Sequence, residues 1–320
     1  MSDILIAVLG VTGAGKTTFI SKATGRNDLR IGHGLASCTQ DISSSRLEID
    51  GKRVVLIDTP GFDDTTRTDG DILELIATHL AATYAQGQLL SGIILLQPIN
   101  GNRVQGSERK RNRLFEKVCG PKAFSKVIIA TTMWSDLGNE SIGTQRVEER
   151  RREADFWGGM VANGATTVRH DNNYESARKI IRMVLAKNSG PVVLQMQQEL
   201  VQNDGRLAAT SAGRQLGLDL REQVEALKAE IEELKRYPGI PDQELRLELQ
   251  ELRQKMAEAS YEQEKLSRRR SPKINLDTIQ QWATAAGGMA SLGAALIPLY
   301  YALFDIMIGG DCDTRHEIQG

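Results

Sequence analysis

Near the start of the chain, Gly10-Val-Thr-Gly13-Ala-Gly15-Lys16-Thr17-Thr18 has the spacing GxxxxGK[ST] and follows the apolar run Ile4 to Leu9. A strand that ends in such a loop and turns into a helix aims successive backbone N–H groups at one spot. Together with the partial positive charge of the helix N-terminus, they suit the α- and β-phosphates of a nucleotide. Gly10, Gly13 and Gly15 permit close approach and positive φ, and Thr12, Ala14 and Thr18 complete the cradle. Lys16 is expected to reach the β- and γ-phosphates as a point charge, and the Thr17 hydroxyl to ligate Mg²⁺.

A second segment, Arg53-Val-Val-Leu-Ile57-Asp58-Thr59-Pro60-Gly61, is a β-branched run that ends in a carboxylate. Asp58 at the C-terminal edge of that strand is the second expected Mg²⁺ ligand, direct or through water. Gly61 can offer its N–H to a γ-phosphate, so the loop after it, Phe62 to Asp71, would sense that phosphate. Asp-Thr-Pro-Gly after a phosphate loop points to GTP rather than ATP. Between the two motifs lies the polar stretch Asn27 to Asp41. Thr39 is its candidate to close over Mg²⁺ and the γ-phosphate, with Ser37 as near competitor. The expected catalytic set is Lys16, Thr39 and Gly61, and the metal set is Thr17, Thr39 and Asp58.

Positioning these groups requires an α/β domain. Strands are expected at Ile42–Ile49, Gly92–Leu96, Lys126–Thr131 and Thr166–Arg169, and helices at Gly70–Tyr84, Ser107–Val118, Thr144–Trp157 and Tyr174–Lys187. The continuous apolar strands are those of a parallel sheet covered on both faces. At 320 residues the chain exceeds one typical domain. A net charge of −1 provides no field for nucleic acid, which is not expected as a partner. Three scattered cysteines and four unclustered histidines form neither a disulfide framework nor a zinc site. The charged start at Asp3 leads straight into a strand without a signal peptide, so a cytoplasmic location is expected.

These motifs resemble septins and the immunity-associated nucleotide-binding (GIMAP-type) GTPases. The phosphate loop, Ser37-Cys38-Thr39 and Asp58-Thr-Pro-Gly-Phe62-Asp-Asp carry the likeness. Asn102-Arg103, Phe115 to Gly120, Thr131-Thr132-Met133-Trp134 and His170-Asp171-Asn172 are similar to a fungal group of G-domain proteins in the same class, the TRAFAC GTPases. The resemblance spans residues 1–190 and implies a Ras-like fold with a mostly parallel six-stranded sheet. It also implies GTP and GDP as ligands, and dimerisation through the G domain.

Two departures from that pattern stand out. The class reads guanine with an Asn/Thr-Lys-x-Asp box, whereas this chain has Thr131-Thr132-Met133-Trp134-Ser135-Asp136, with no Lys and the acid displaced by one. Either Trp134 stacks on the purine and Asp136 reaches it, or Trp134 is a packing anchor; adenine stays open as the base. Phe62 stands where Ras-like enzymes carry a water-orienting Gln. That leaves slow turnover, Asp63 or Asp64 as water-orienting groups, or an Arg supplied in trans, an effect worth roughly 10³–10⁵ in rate. Arg103 is the Arg to test. An alternative is a non-catalytic module whose nucleotide sets its oligomeric or membrane state.

Residues 191–272 are rich in Gln, Glu, Leu, Lys and Arg. Val224, Leu227, Ile231 and Leu234 form a narrow coiled-coil seam, Pro238 to Pro241 interrupts it, and Leu245, Leu249, Leu252, Met256 and Ala259 follow on one face. Pairing with another subunit is favoured over an intrachain hairpin, because little else is available to bury these seams. Residues 273–320 close the chain with a hydrophobic helix and a polar tail. The uncharged stretch 282–304 is long enough for a hydrocarbon core of ~30 Å, with basic residues preceding it. Small residues and Pro298 argue instead for a helix docked on protein, so membrane association and docking stand side by side.

Overall fold

Apolar β-branched runs dictate the centre of the molecule. β1 (Ile4–Gly10), β2 (Ser43–Ile49), β3 (Lys52–Asp58), β4 (Leu90–Pro98), β5 (Val127–Thr132) and β6 (Thr166–Arg169) form one six-stranded sheet in the order β2-β3-β1-β4-β5-β6. Every neighbouring pair is parallel except the antiparallel β2–β3 edge. All six residues of β5 are buried, as a strand covered on both faces requires, whereas the edge strand β2 keeps Ser43, Ser44 and Arg46 exposed. The structure, a computed structural model, describes residues 3–26, 43–61, 67–85, 87–101, 106–187, 190–236 and 242–271. Thr39, Ser37, Phe62, Asp63, Asp64, Arg103, the break at 238–241 and the segment 282–304 lie outside the described residues.

Helices cover both faces. α1 (Lys16–Thr24) and α6 (Tyr174–Ala186) pack Phe19, Ile20, Ile180 and Ile181 against Ile6, Val8, Leu56 and Ile128. On the other face, α2 (Asp69–Ala85) and α3 (Gly106–Cys119) bring Ile72, Leu73, Leu114 and Phe115 onto Ala7, Ile93 and Ile129. The single helix expected over Thr144–Trp157 is broken. α4 (Glu140–Arg152) stops at Glu153, and a π-turn over Ala154–Gly158 leads into α5 (Gly159–Ala162). The extra residue per turn rotates Phe156 and Trp157 into the core, where both are buried.

The apolar core does not stop at residue 190. α7 (Gln195–Gln202), α8 (Ser211–Arg236) and α9 (Asp242–Arg268), with the residue before α7 and the turn before α8, add Leu194, Met196, Leu200, Leu207, Leu216 and Leu266 to the cluster under α2 and α3. α8 and α9 form an antiparallel hairpin: Leu227, Ile231 and Leu252 are buried against each other, with Leu234, Leu249 and Met256 around them. This differs from the preference for pairing with another subunit. Each seam is narrow, but the second supplies the apolar cover that the first needs. Among the described residues, no helix is long and apolar enough to cross a membrane.

Polar chemistry locks the end of α9 to the start of α2. Thr68 and Asp71 form a capping box: the Asp71 N–H donates to Thr68 Oγ1 at 3.2 Å and the Thr68 N–H to Asp71 Oδ2 at 3.3 Å. Onto this turn α9 brings Glu262 and Lys265, and the residue after it, Arg269, follows. The buried Arg269 guanidinium lies 2.6 Å from Asp71, 3.2 Å from Glu262 and 3.3 Å from Glu74, and Lys265 Nζ lies 2.7 Å from Asp71. Gly70 lets Arg269 in, since a Cβ there would stand 1.9 Å from its Nη1.

Candidate nucleotide site

The parallel register brings the chemistry to one edge. Val8 pairs with Asp58, Gly10 with Leu96, Leu96 with Ala130 and Pro98 with Thr132, so β1, β3, β4 and β5 end side by side. Ligands in sheets of this kind bind outside the carboxyl ends of the strands. Gly10 has φ +151°, and a Cβ there would meet the Leu96 carbonyl oxygen at 2.6 Å. Gly15 has φ +89° at the N-cap of α1, a left-handed turn open to glycine.

Lys16 is 6% exposed, and its Nζ donates to the carbonyls of Val11 at 2.9 Å and Gly10 at 3.2 Å. The ammonium is thereby held inside the loop, on the side where phosphates would enter. Thr17 Oγ1 donates to Asp58 Oδ2 at 2.8 Å, joining residues 41 positions apart. Thr59 Oγ1 anchors the same strand end to the Val8 carbonyl at 3.0 Å. Asp58 Oδ1 is buried without a hydrogen-bond partner. Burial pushes the Asp58 carboxyl above its ordinary range, against the opposing pull of the Thr17 hydrogen bond and the Lys16 charge. A buried carboxylate with one orphaned oxygen, beside a hydroxyl and at a phosphate loop, fits a hard divalent cation that takes oxygen ligands. Mg²⁺-dependent nucleotide binding is therefore expected to weaken on acidification earlier than an ordinary Asp would allow, because protons compete at Asp58. Mg²⁺ titrations stepped downward from neutral pH would check this. A Mg²⁺ affinity that holds until the ordinary carboxylate range is reached would contradict it.

Gly61 sits directly on the phosphate loop, accepting a hydrogen bond from Thr12 Oγ1 at 3.3 Å. On the far side, Thr132 Oγ1 donates to the Ala14 carbonyl at 3.1 Å, tying the end of β5 to the loop. Met133 then takes φ +61°, and its methyl lies 3.8 Å from where a Gly15 Cβ would be. Thr132 and Met133 were not singled out as binding residues from sequence. Their sequence signal is a Thr at the head of the base-reading box, without the Lys that follows it in the class.

The protein's own groups hold Trp134. Its Nε1–H donates to Thr131, 3.2 Å to the carbonyl and 3.0 Å to Oγ1, and Arg169 stacks over the ring 4.4 Å from its centroid. Gly143 clears a neighbouring edge, since a Cβ there would meet Trp134 Cζ3 at 2.6 Å. Asp136 accepts from Asn100 Nδ2 at 2.9 Å and from Ser135 Oγ at 3.1 Å, and it is exposed. Behind this rim, His170 is buried with Ser176 Oγ 2.8 Å from its Nδ1 and Phe19 edge-on at 5.1 Å. Burial drops its imidazole to about 4, so it is neutral near pH 7 and brings no positive charge to the site.

Residues 5–110, which contain both phosphate motifs, match a family model described as 50S ribosome-binding GTPase. The tRNA modification GTPase MnmE of Rhodopseudomonas palustris is 26% identical over 230 residues, 71% of this chain and 49% of that protein. The MnmE of Cereibacter sphaeroides is 30% identical over 105 residues, 32% of this chain and 23% of that protein. The chain thus spans between about a quarter and a half of the length of these curated relatives. Among solved structures, a dimerization-deficient mutant of Toc33 from Arabidopsis thaliana matches with a TM-score of 0.50 at 15% identity, over 61% of this chain and 88% of that one. That likeness is one of fold. These matches support a P-loop G domain of the GTPase type; they do not carry the finer kinship with septins or GIMAP-type proteins.

Proposed function

We propose that this chain binds GTP and GDP together with Mg²⁺ in the phosphate loop and hydrolyses GTP slowly. The observation that carries the reading is the 2.8 Å bond between Thr17 and Asp58, with the second Asp58 oxygen buried and unpartnered beside it. That pair would supply two oxygen ligands of a cation shell, brought from two distant segments next to a phosphate cradle. Thr17 and Asp58, with Thr39 from the sequence, would hold Mg²⁺, which when bound neutralises charge on the β- and γ-phosphates. Lys16 and the loop N–H groups bind and orient the phosphates, and the Gly61 N–H reads the terminal one.

The preference for guanine rests on Asp58-Thr-Pro-Gly61 and on the naming of the relatives as GTPases. Slow turnover rests on Phe62, whose hydrocarbon ring cannot orient water. Since a dimerization-deficient form is described for Toc33, we extend self-association to this G domain, with Arg103 as the group to test in trans. A cytoplasmic location, and membrane association through 282–304, are proposals from sequence alone.

Competition of GTP against ATP for the full chain with Mg²⁺ tests the reading. GTP is expected to win by about tenfold or more. Equal or ATP-favoured binding would leave the phosphate chemistry standing and overturn the base assignment. Turnover per subunit that rises with protein concentration would support self-association, and flat near-zero turnover would favour a binding module.

A further inference from the structure

Gly61 is packed more tightly than its motif requires. A Cβ at this position would lie 2.3 Å from the Thr12 nitrogen, 2.7 Å from Thr12 Cα and 2.7 Å from Lys16 Nζ. No other residue type fits, and Gly61 is buried. The Gly61 backbone therefore lies against the Thr12 N–H and the Lys16 ammonium. On the reading proposed above, on which this inference rests, those are two of the donors that a terminal phosphate must face. Each phosphate oxygen needs its donor at about 2.8 Å, and the phosphorus stands farther out still. A γ-phosphate held by those donors would need the space that the Gly61 backbone takes up beside them, whereas α- and β-phosphates held by the loop's other N–H groups would leave Gly61 in place.

One side chain bridges that gap. Thr12 Oγ1 donates to the Gly61 carbonyl at 3.3 Å, from a loop position whose residue type the GxxxxGK[ST] spacing leaves free. We propose that Thr12 is a specificity-determining residue, a hydroxyl latch that holds Gly61 over the phosphate loop and so favours nucleoside diphosphate over triphosphate. A ligand shifts a conformational equilibrium only by its differential affinity for the two states. Triphosphate binding must break the latch; diphosphate binding leaves it intact.

Thr12→Val keeps the β-branched shape and deletes the hydroxyl, while Thr12→Ser keeps the hydroxyl and deletes the methyl. Affinities of the full chain for GDP and for a non-hydrolysable GTP analogue, both with Mg²⁺, give the ratio to compare. In Thr12→Val the ratio is expected to move toward triphosphate by about three- to tenfold, the worth of one hydrogen bond. Thr12→Ser is expected to keep the wild-type ratio. A Thr12→Val ratio equal to wild type, or equal losses for both nucleotides, would overturn the latch while leaving the nucleotide site intact. Wild-type protein that bound neither nucleotide would instead overturn the site itself. Thermal melting of each variant identifies any effect that comes from misfolding.

Discussion

Replacing Lys16 by alanine is expected to weaken binding of GTP and GDP by about 100-fold or more. Lys16 is the only cation that the phosphate loop itself supplies, and its ammonium is buried at the loop's inner face. A hydrogen bond to a charged group is worth about 1.5–3 kcal/mol, so two lost contacts to phosphate oxygens correspond to two or more decades. The substitution also takes a positive charge away from Asp58, whose carboxyl burial already raises. Protons should therefore compete with Mg²⁺ over a wider pH range in the variant. Equilibrium titration with a fluorescent guanine nucleotide reads the loss, and Lys22→Ala, in the last turn of α1, is the control that keeps binding. Undiminished binding in Lys16→Ala would mean that phosphates do not lie in this loop.

Arg269→Ala is expected to destabilise the folded chain by about 2–4 kcal/mol. The guanidinium is 3% exposed and faces Asp71, Glu74 and Glu262. Its removal leaves carboxylates crowded at one helix start, with the Lys265 ammonium and the Thr68 hydroxyl beside Asp71 and Glu262. Breaking a fully buried pair from one side costs about 3–5 kcal/mol. The range here is set lower because Asp71 and Glu74 keep 30% and 37% of their side-chain surface in water. Denaturant unfolding of the full chain measures the change. Arg269→Lys should recover only part of it, since an ammonium lacks the planar fork that serves several carboxylates at once. A change under about 0.5 kcal/mol, the range of an ordinary surface substitution, would show that the α9–α2 junction adds little to stability. The two predictions are separable: Lys16→Ala reads the site and Arg269→Ala reads the docking of the helical region.

Much of the site was legible because phosphate chemistry is written in short contiguous strings. The glycine spacing of Gly10 to Gly15 needs only local backbone geometry, and the structure has the positive φ values at Gly13 and Gly15 that it implies. The sheet was legible for a similar reason, since runs such as Val127 to Ala130 are apolar throughout and have no second way to be buried. Where two local signals competed, the sequence underdetermined the outcome. Thr144 to Trp157 reads as one helix by propensity, but burying Phe156 and Trp157 outweighed the unbroken ladder and produced the π-turn. Trp134 was open between base stacking and packing, and nothing local indicated that Arg169 would come to lie over its ring.

By itself, the sequence determined the phosphate cradle, the strand that carries Asp58 and the alternation of strands and helices. Those depend on residues near one another in the chain and on side-chain types with few alternatives. Tertiary structure alone decided which partners these elements take. The Thr17–Asp58 bond, the Thr12 hydroxyl on Gly61 and the Thr132 hydroxyl on Ala14 each join residues between 41 and 118 positions apart. The helical seams find cover in each other and on the sheet domain. An apolar stripe specifies that it must be buried but not against what, and that choice is settled only by the surfaces the rest of the fold brings within reach.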